Sequence, residues 1–85
     1  MNNANDIKDG VIKALEETFI FISPDEFDSV DLTNYIDDSM QFMTFIVNLE
    51  DVFSIELPPD LLLFENFIHT KDICAIVSEL KKEDF

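Results

Sequence analysis

The sequence predicts an all-α protein, a small four-helix bundle with three main helices, one short helix and a long loop between the first two. Three segments carry apolar residues at the i, i+3, i+4 spacing of an amphipathic helix. One Gly and three Pro are too few for the many tight turns of an all-β chain. The 85 residues are 47% hydrophobic, which favours one folded domain over residues 1–85.

The first helix is predicted over residues 5–21. Its apolar residues recur every four positions and form one stripe, made of Ile7, Val11, Leu15 and Phe19. Gly10 lies inside this segment and costs about 1 kcal/mol of helix propensity relative to Ala. We therefore expect tertiary packing to stabilise this helix.

A long, acidic connection is predicted over residues 23–37. Ser23, Pro24 and Glu26 form a capping-box pattern with Pro at the first helical position, so a short helical turn is expected at its start. Apolar anchors should pin the connection across the helices; they are Phe27, Val30, Leu32, Tyr35 and Ile36.

The second helix is predicted over residues 39–53, with Asp38 as its N-cap and Gln41 three residues later. At 100° per residue, one side gathers the expected core residues Phe42, Phe45, Ile46, Leu49, Val52 and Phe53. A second apolar stripe falls on the opposite side and consists of Met40, Met43 and Val47. This helix therefore has a second apolar face in addition to the one expected to pack in the core.

The rest of the chain predicts a short helix and a final one. Pro58 and Pro59 break the chain before a short apolar turn or helix over residues 60–64. The last helix is expected over residues 71–82, with Thr70 as its N-cap and an apolar stripe of Ile73, Ile76, Val77 and Leu80.

The charge of the chain restricts its partners. The net charge is −14, from 19 acidic and 5 basic residues. Such a surface repels nucleic acid and anionic membranes and attracts a basic partner. No apolar run is long enough to span a bilayer, and residues 1–6 lack the pattern of a signal peptide. We expect a monomeric, cytoplasmic protein without membrane insertion.

No catalytic or metal-binding pattern is found in the sequence. A hydrolase would need His69, the one histidine, beside a nucleophile such as Ser39, and a loop or capping role suits His69 better. The zinc and EF-hand spacings are absent, and Cys74 lies beside a core stripe, as a small buried residue would. These observations predict a protein that is not an enzyme and has no resident metal.

Ser39 is the strongest candidate for a functional residue in the sequence. It stands where an acidic loop meets a strong helix N-terminus, whose partial positive charge suits a phosphodiester. A serine at such a position can equally serve only as a cap. The residues around it are needed to choose between these roles.

The sequence around Ser39 resembles that of acyl carrier proteins. Asp38-Ser39-Met40 is similar to their Asp-Ser-Leu motif, in which the serine carries 4′-phosphopantetheine. The segment LEDVFSIELP at residues 49–58 resembles the carrier segment LEEEFxIEIP, and the stretch at residues 31–39 resembles the loop that leads into the motif. The similarity covers nearly the whole chain.

The resemblance implies a bundle of acyl-carrier type and a role for each matched residue. Ser39 would hold the 4′-phosphopantetheine arm, with Asp38 as its motif partner. The positions presented to partner enzymes would be Met40, Met43, Val47, Glu50 and Asp51. The implied partners are a phosphopantetheinyl transferase and acyl-loading and acyl-processing enzymes with basic surfaces.

The sequence departs from the common carrier pattern in two places. Ile36-Asp37 precedes the motif where a small residue is usual, and Gln41 and Thr44 replace acids that are common in fatty-acid carriers. A fatty-acid, polyketide or specialised pathway, with an acyl or aminoacyl cargo, therefore stays open. The alternative is an acidic protein-interaction module of the same fold without a prosthetic arm.

Overall fold

The structure, a computed structural model, describes residues 4–82. It contains three α-helices, α1 (Ala4–Glu17), α2 (Ser39–Phe53) and α3 (Thr70–Lys82). Short 3-10 turns occupy the connections, at Pro24–Ser29, Leu32–Asn34, Pro59–Leu61 and Phe64–Phe67. The predicted helical bundle is confirmed, and two consecutive 3-10 turns stand in place of its short fourth helix.

The three α-helices and the connections share one hydrophobic core. α1 packs against both α2 and α3, and each helix contributes residues that are almost fully buried, such as Leu15, Phe45 and Ile73. Gly10 in α1 faces Phe53, the last residue of α2. Thr18, just after the end of α1, accepts a hydrogen bond from Asn48, which lies five residues before Phe53 in α2. The two helices are therefore antiparallel.

The end of α1 differs from the prediction. The helix stops at Glu17 instead of reaching residue 21, and Phe19 adopts a left-handed conformation with φ of 65°. Its side chain is 85% exposed, so its assignment to the apolar stripe was wrong. Thr18 is buried instead, because its hydroxyl donates to the carbonyl of Ala14 and accepts from Asn48.

The helix α2 has the predicted bounds. Asp38 caps it, since its Oδ1 accepts the Gln41 N–H at 2.7 Å. At the other end Ser54 takes a left-handed conformation, and Lys81 of α3 donates to the Phe53 carbonyl at 3.4 Å. The predicted core face is buried, except that Val52 is only partly so.

The loop between α1 and α2 is held by its apolar anchors, as predicted for four of the five. Phe27, Val30, Leu32 and Ile36 are buried, but Tyr35 is 41% exposed and was wrongly assigned as an anchor. The predicted capping box of Ser23 and Glu26 is confirmed, and in it the Ser23 N–H donates to Glu26 Oε1 at 3.3 Å.

The start of α3 is also tied to this loop. The Thr70 hydroxyl donates to the Phe27 carbonyl at 2.6 Å, so Thr70 is a tertiary link and its assignment as the N-cap was wrong. The cap position falls to His69, whose carbonyl accepts the Asp72 N–H at 3.0 Å. His69 also forms an isolated antiparallel bridge with Asp31, and the Leu32 N–H donates to the Ile68 carbonyl.

Candidate functional site

Ser39 is the first residue of α2 and is exposed. The helix forms here because Asp38 is extended, with φ of −144°, and its carboxylate and carbonyl accept the N–H groups of Gln41 and Phe42. Since Asp38 provides the cap, the Ser39 side chain is not required for it. The partial positive charge of this 15-residue helix lies at the Ser39 end.

A cavity of about 380 Å³ lies beside Ser39. Its lining combines three apolar side chains with three polar residues, and the lining residues are Ile36, Phe42, Phe64, Asp37, Asp38 and Ser39. The Phe42 ring meets the rings of Phe64 and Phe67 edge to face, with centroids 5.4 and 5.6 Å apart. These aromatic contacts fix the wall between α2 and the segment that precedes α3.

The second apolar stripe of α2 faces outward, as the helical spacing predicts. Met40 is 81% exposed, Met43 44% and Val47 50%. They line a shallow surface groove of about 410 Å³ together with Ser39, Thr44 and Asn48. Because all three side chains are exposed, an apolar surface leads from Ser39 along α2.

The two acids near the end of α2 have different surroundings. Asp51 is exposed, whereas Glu50 is half-buried and its Oε2 accepts the Leu57 N–H at 2.8 Å. Leu57 is 3% exposed, so this bond supplies the acceptor of a backbone group that water scarcely reaches. Glu50 thus holds the chain after α2, a role that its place in the carrier-like segment did not reveal.

The other chemically interesting residues lie away from Ser39. His69 lines neither of the two cavities that include Ser39. Cys74 is half-buried, and burial, followed by the negative charge of Asp28, raises the pKa of its thiol. Among residues 4–82, no group of three or more His, Cys, Asp or Glu side chains is placed to hold a metal ion.

Six residues that line the cavity or the groove were not singled out as site residues from the sequence, namely Ile36, Asp37, Phe42, Thr44, Asn48 and Phe64. Phe64 lines the cavity although it lies 25 positions after Ser39, and Asn48 joins the groove to the end of α1. Ile36 was expected only as a loop anchor and also lines the cavity. The position of Ile36 just before the motif could have predicted that it lines the cavity. Phe64 and Asn48 reach the cavity and the groove only through tertiary packing, which the sequence pattern does not show.

The comparison with protein families identifies the class of this protein. The model of the phosphopantetheine attachment site family matches residues 11–77. The chain therefore belongs to that family, in which 4′-phosphopantetheine is attached covalently to the protein. No curated protein and no solved structure matched the chain.

The residues around Ser39 fit such a group. An exposed primary hydroxyl at a helix N-terminus offers an attachment atom in a field that favours the phosphodiester. The cavity and the groove, which both include Ser39 in their lining, offer apolar surface to the rest of the arm. Within the described part of the chain, no helix is long and apolar enough to cross a bilayer.

Proposed function

We propose that this protein is an acyl carrier protein whose 4′-phosphopantetheine arm is attached to Ser39. The observation that carries the proposal is the exposed Ser39 hydroxyl at the start of α2, next to an N-cap, Asp38, that leaves it free for modification. Family membership over residues 11–77 supports it. We take residues 1–85 as one carrier domain, supported by the single core of the described residues.

In this proposal the chain's residues present the hydroxyl and position the arm. The Ser39 oxygen forms a bond to the pantetheine-linked phosphorus of the coenzyme A pyrophosphate. The bond from that phosphorus to the bridging oxygen breaks, adenosine 3′,5′-bisphosphate leaves, and a base on the transferase takes the serine proton. The bound arm supplies a thiol that holds the cargo as a thioester. The chain itself catalyses nothing, and it works as a cytoplasmic monomer that meets its enzymes in turn.

The cavity beside Ser39 supports an apolar cargo. Ile36, Phe42 and Phe64 form its apolar wall, while the carboxylates of Asp37 and Asp38 lie at the motif. A neutral acyl group gains from leaving water for such a wall, whereas a cargo with its own carboxylate would be repelled. We propose an acyl or aminoacyl intermediate of a fatty-acid, polyketide or specialised pathway.

The partner surface proposed here is the outward stripe of α2. Met40, Met43 and Val47 offer adaptable apolar contacts, and Asp51, with the outer part of Glu50, offers charge to basic enzymes. The chain's net charge of −14 would speed the encounter with such enzymes.

The attachment site is tested by intact mass after incubation with coenzyme A, Mg²⁺ and a broad-specificity phosphopantetheinyl transferase. The wild type and a Ser54→Gly control, which keeps Ser39, should gain one phosphopantetheine, and Ser39→Ala should gain none. A gain on Ser39→Ala would place the arm on another residue. No gain on the wild type with several transferases would favour the interaction module without an arm.

A further inference from the structure

The segment that follows α1 exposes two aromatic rings. Phe19 is 85% exposed and Phe21 is 70% exposed, while Ile20 and Ile22 between and after them are buried. The chain therefore alternates outward and inward here, with large apolar side chains on both sides. We call Phe19 and Phe21 the aromatic pair. Because both rings point away from the core, they contribute little packing energy to the folded protein.

The backbone at Phe19 is strained as well. The Ile20 N–H donates to the Leu15 carbonyl at 2.8 Å, and the Phe19 N–H donates to the Glu16 carbonyl at 2.9 Å. These two bonds form a Schellman motif, whose left-handed position is usually Gly. A left-handed conformation is unfavourable for a residue with a Cβ, and the exposed ring of Phe19 makes no packing contribution that would offset this strain.

The charges at this end of α1 are unfavourable for the helix too. Glu16 and Glu17 are exposed in its last turn, which contains no basic residue. The C-terminus of a helix carries partial negative charge, so acids destabilise it. Strain, exposed rings and misplaced acids thus coincide over a few residues, and such local conflicts are expected where a surface serves a partner.

Thr18, the residue just before the aromatic pair, lies next to the outward face of α2. Thr18 accepts a hydrogen bond from Asn48 Nδ2 at 3.0 Å, and Asn48 lines the groove that also contains Ser39. Asn48 is nine positions after Ser39 in α2, or about 14 Å along the axis. A protein interface of ordinary size covers about 800 Å² on each partner and is roughly 30 Å across. One partner docked over Ser39 can therefore also cover the end of α1.

The enzyme that attaches the arm is the partner most constrained by this geometry. An enzyme that acts at the tip of the arm can work at a distance, but attachment requires its active site at the Ser39 oxygen. Its surface must therefore cover the start of α2 and the neighbouring groove. The acids around the aromatic pair, Glu16 and Glu17, and the net charge of −14 are complementary to a basic surface.

We propose that the aromatic pair is a second docking element for the phosphopantetheinyl transferase, inserted into an apolar cleft rimmed by Lys and Arg on that enzyme. The proposal rests on the proposed function, because it assumes that Ser39 receives the arm. The exposed rings act as anchors in the complex, and Glu16 and Glu17 pair with the cations at the rim.

The test measures the kinetics of arm transfer to the full-length chain by intact mass, with coenzyme A, Mg²⁺ and the transferase that loads the wild type. Phe19→Gly and Phe21→Ser should each lower kcat/KM roughly tenfold, as loss of an aromatic anchor does, through a higher KM at unchanged kcat. Ser54→Gly is the matched control, since it also places Gly at a left-handed residue after a helix. It should leave KM unchanged.

Thermal unfolding separates docking from folding. Phe19→Gly and Ser54→Gly both relieve strain, so both should raise Tm, yet only Phe19→Gly should raise KM. Wild-type KM values for Phe19→Gly and Phe21→Ser would overturn this inference and leave the proposed function intact. A wild type that accepts no arm would end both proposals. If Phe19→Gly instead converts a wild-type dimer to a monomer at unchanged KM, the pair is a self-association surface and the inference is wrong.

Discussion

Glu50 and Asp51 are neighbours in the sequence with different tasks in the structure. The Glu50 carboxylate accepts the Leu57 N–H at 2.8 Å, whereas Asp51 is exposed. A buried N–H group that loses its acceptor lowers the free energy of unfolding by more than an exposed charge raises it. The same carrier-like segment therefore contains one acid that holds the fold and one that is free to meet a partner.

Replacing each of these acids by Ala separates the two tasks. Glu50→Ala should lower the free energy of unfolding by about 1–2 kcal/mol, because the Leu57 N–H is left without its acceptor. Asp51→Ala should change it by less than about 0.5 kcal/mol and slow arm transfer. Urea unfolding and intact-mass kinetics measure the two effects. Equal loss of stability in both variants would contradict this division.

Asp31 predicts a pH dependence of stability at the loop. The Thr33 hydroxyl and backbone N–H both donate to Asp31 Oδ1 and hold the pKa of this carboxyl below its ordinary value of 3.8. The ionised form is therefore favoured in the folded state. Its contribution is fully present above the unfolded pKa and is lost as the pH falls through the lower folded pKa.

The variant Asp31→Asn isolates this contribution. The difference in Tm between the wild type and Asp31→Asn should shrink as the pH falls below 3.8, since only the wild type has a carboxyl to protonate there. Thermal melts across this range provide the measurement. A difference that grows on acidification would show that the folded-state pKa is raised instead.

At the scale of the elements, α1 depends on a close approach to α2. A methyl group at Gly10 would lie 2.6 Å from Cε1 of Phe53 and nearer still to Cζ. Phe53 is 8% exposed, so its ring has little room to move. The glycine that weakens the isolated helix is thus the residue that lets the two helices pack.

Gly10→Ala should therefore destabilise the protein, although Ala is the better helix former. The gain in helix propensity is about 1 kcal/mol, and overpacking costs about 1–3 kcal/mol. In a Phe53→Leu background the overlap is removed, and Gly10→Ala should become neutral or stabilising. A double-mutant cycle by urea unfolding measures this coupling. Additive effects of the two substitutions would contradict the proposed contact.

The whole molecule is dominated by its net charge of −14. Like charges repel within the compact fold, and the same field attracts basic enzymes. Salt screens both effects, since the Debye length falls from about 30 Å at 0.01 M to about 8 Å at 0.15 M. One property thus acts against folding and in favour of docking.

Raising NaCl from 0.01 to 0.15 M should therefore raise Tm and at the same time lower kcat/KM for arm transfer. The screened repulsion stabilises the fold, while the screened attraction slows the encounter. Melting curves and transfer kinetics on the same samples give both numbers, and transfer to a neutral acceptor of the same transferase serves as the control. A fall in Tm would mean that attractive ion pairs outweigh the repulsion.

The sequence by itself determined the helical class, the bounds of α2 and the position of Ser39. Interactions between residues close in the chain decide these features. The Asp38 carboxylate accepts the N–H of Gln41, only three residues later. The 3.6-residue period of the helix places Phe45 on the buried side and Met43 on the exposed side. The family match over residues 11–77 agrees with the resemblance drawn from the motif and from residues 49–58.

Only the tertiary structure decided where the local signals compete with distant contacts. Phe19 continues the helical period of α1, yet the helix ends before it, where Thr18 accepts a hydrogen bond from Asn48, 30 residues later. Thr70 has the chemistry of an N-cap, but its hydroxyl donates to Phe27, 43 residues earlier. The cavity at Ser39 needs Phe64 as well. Such partners lie far apart in the chain, so local periodicity and capping rules cannot predict them.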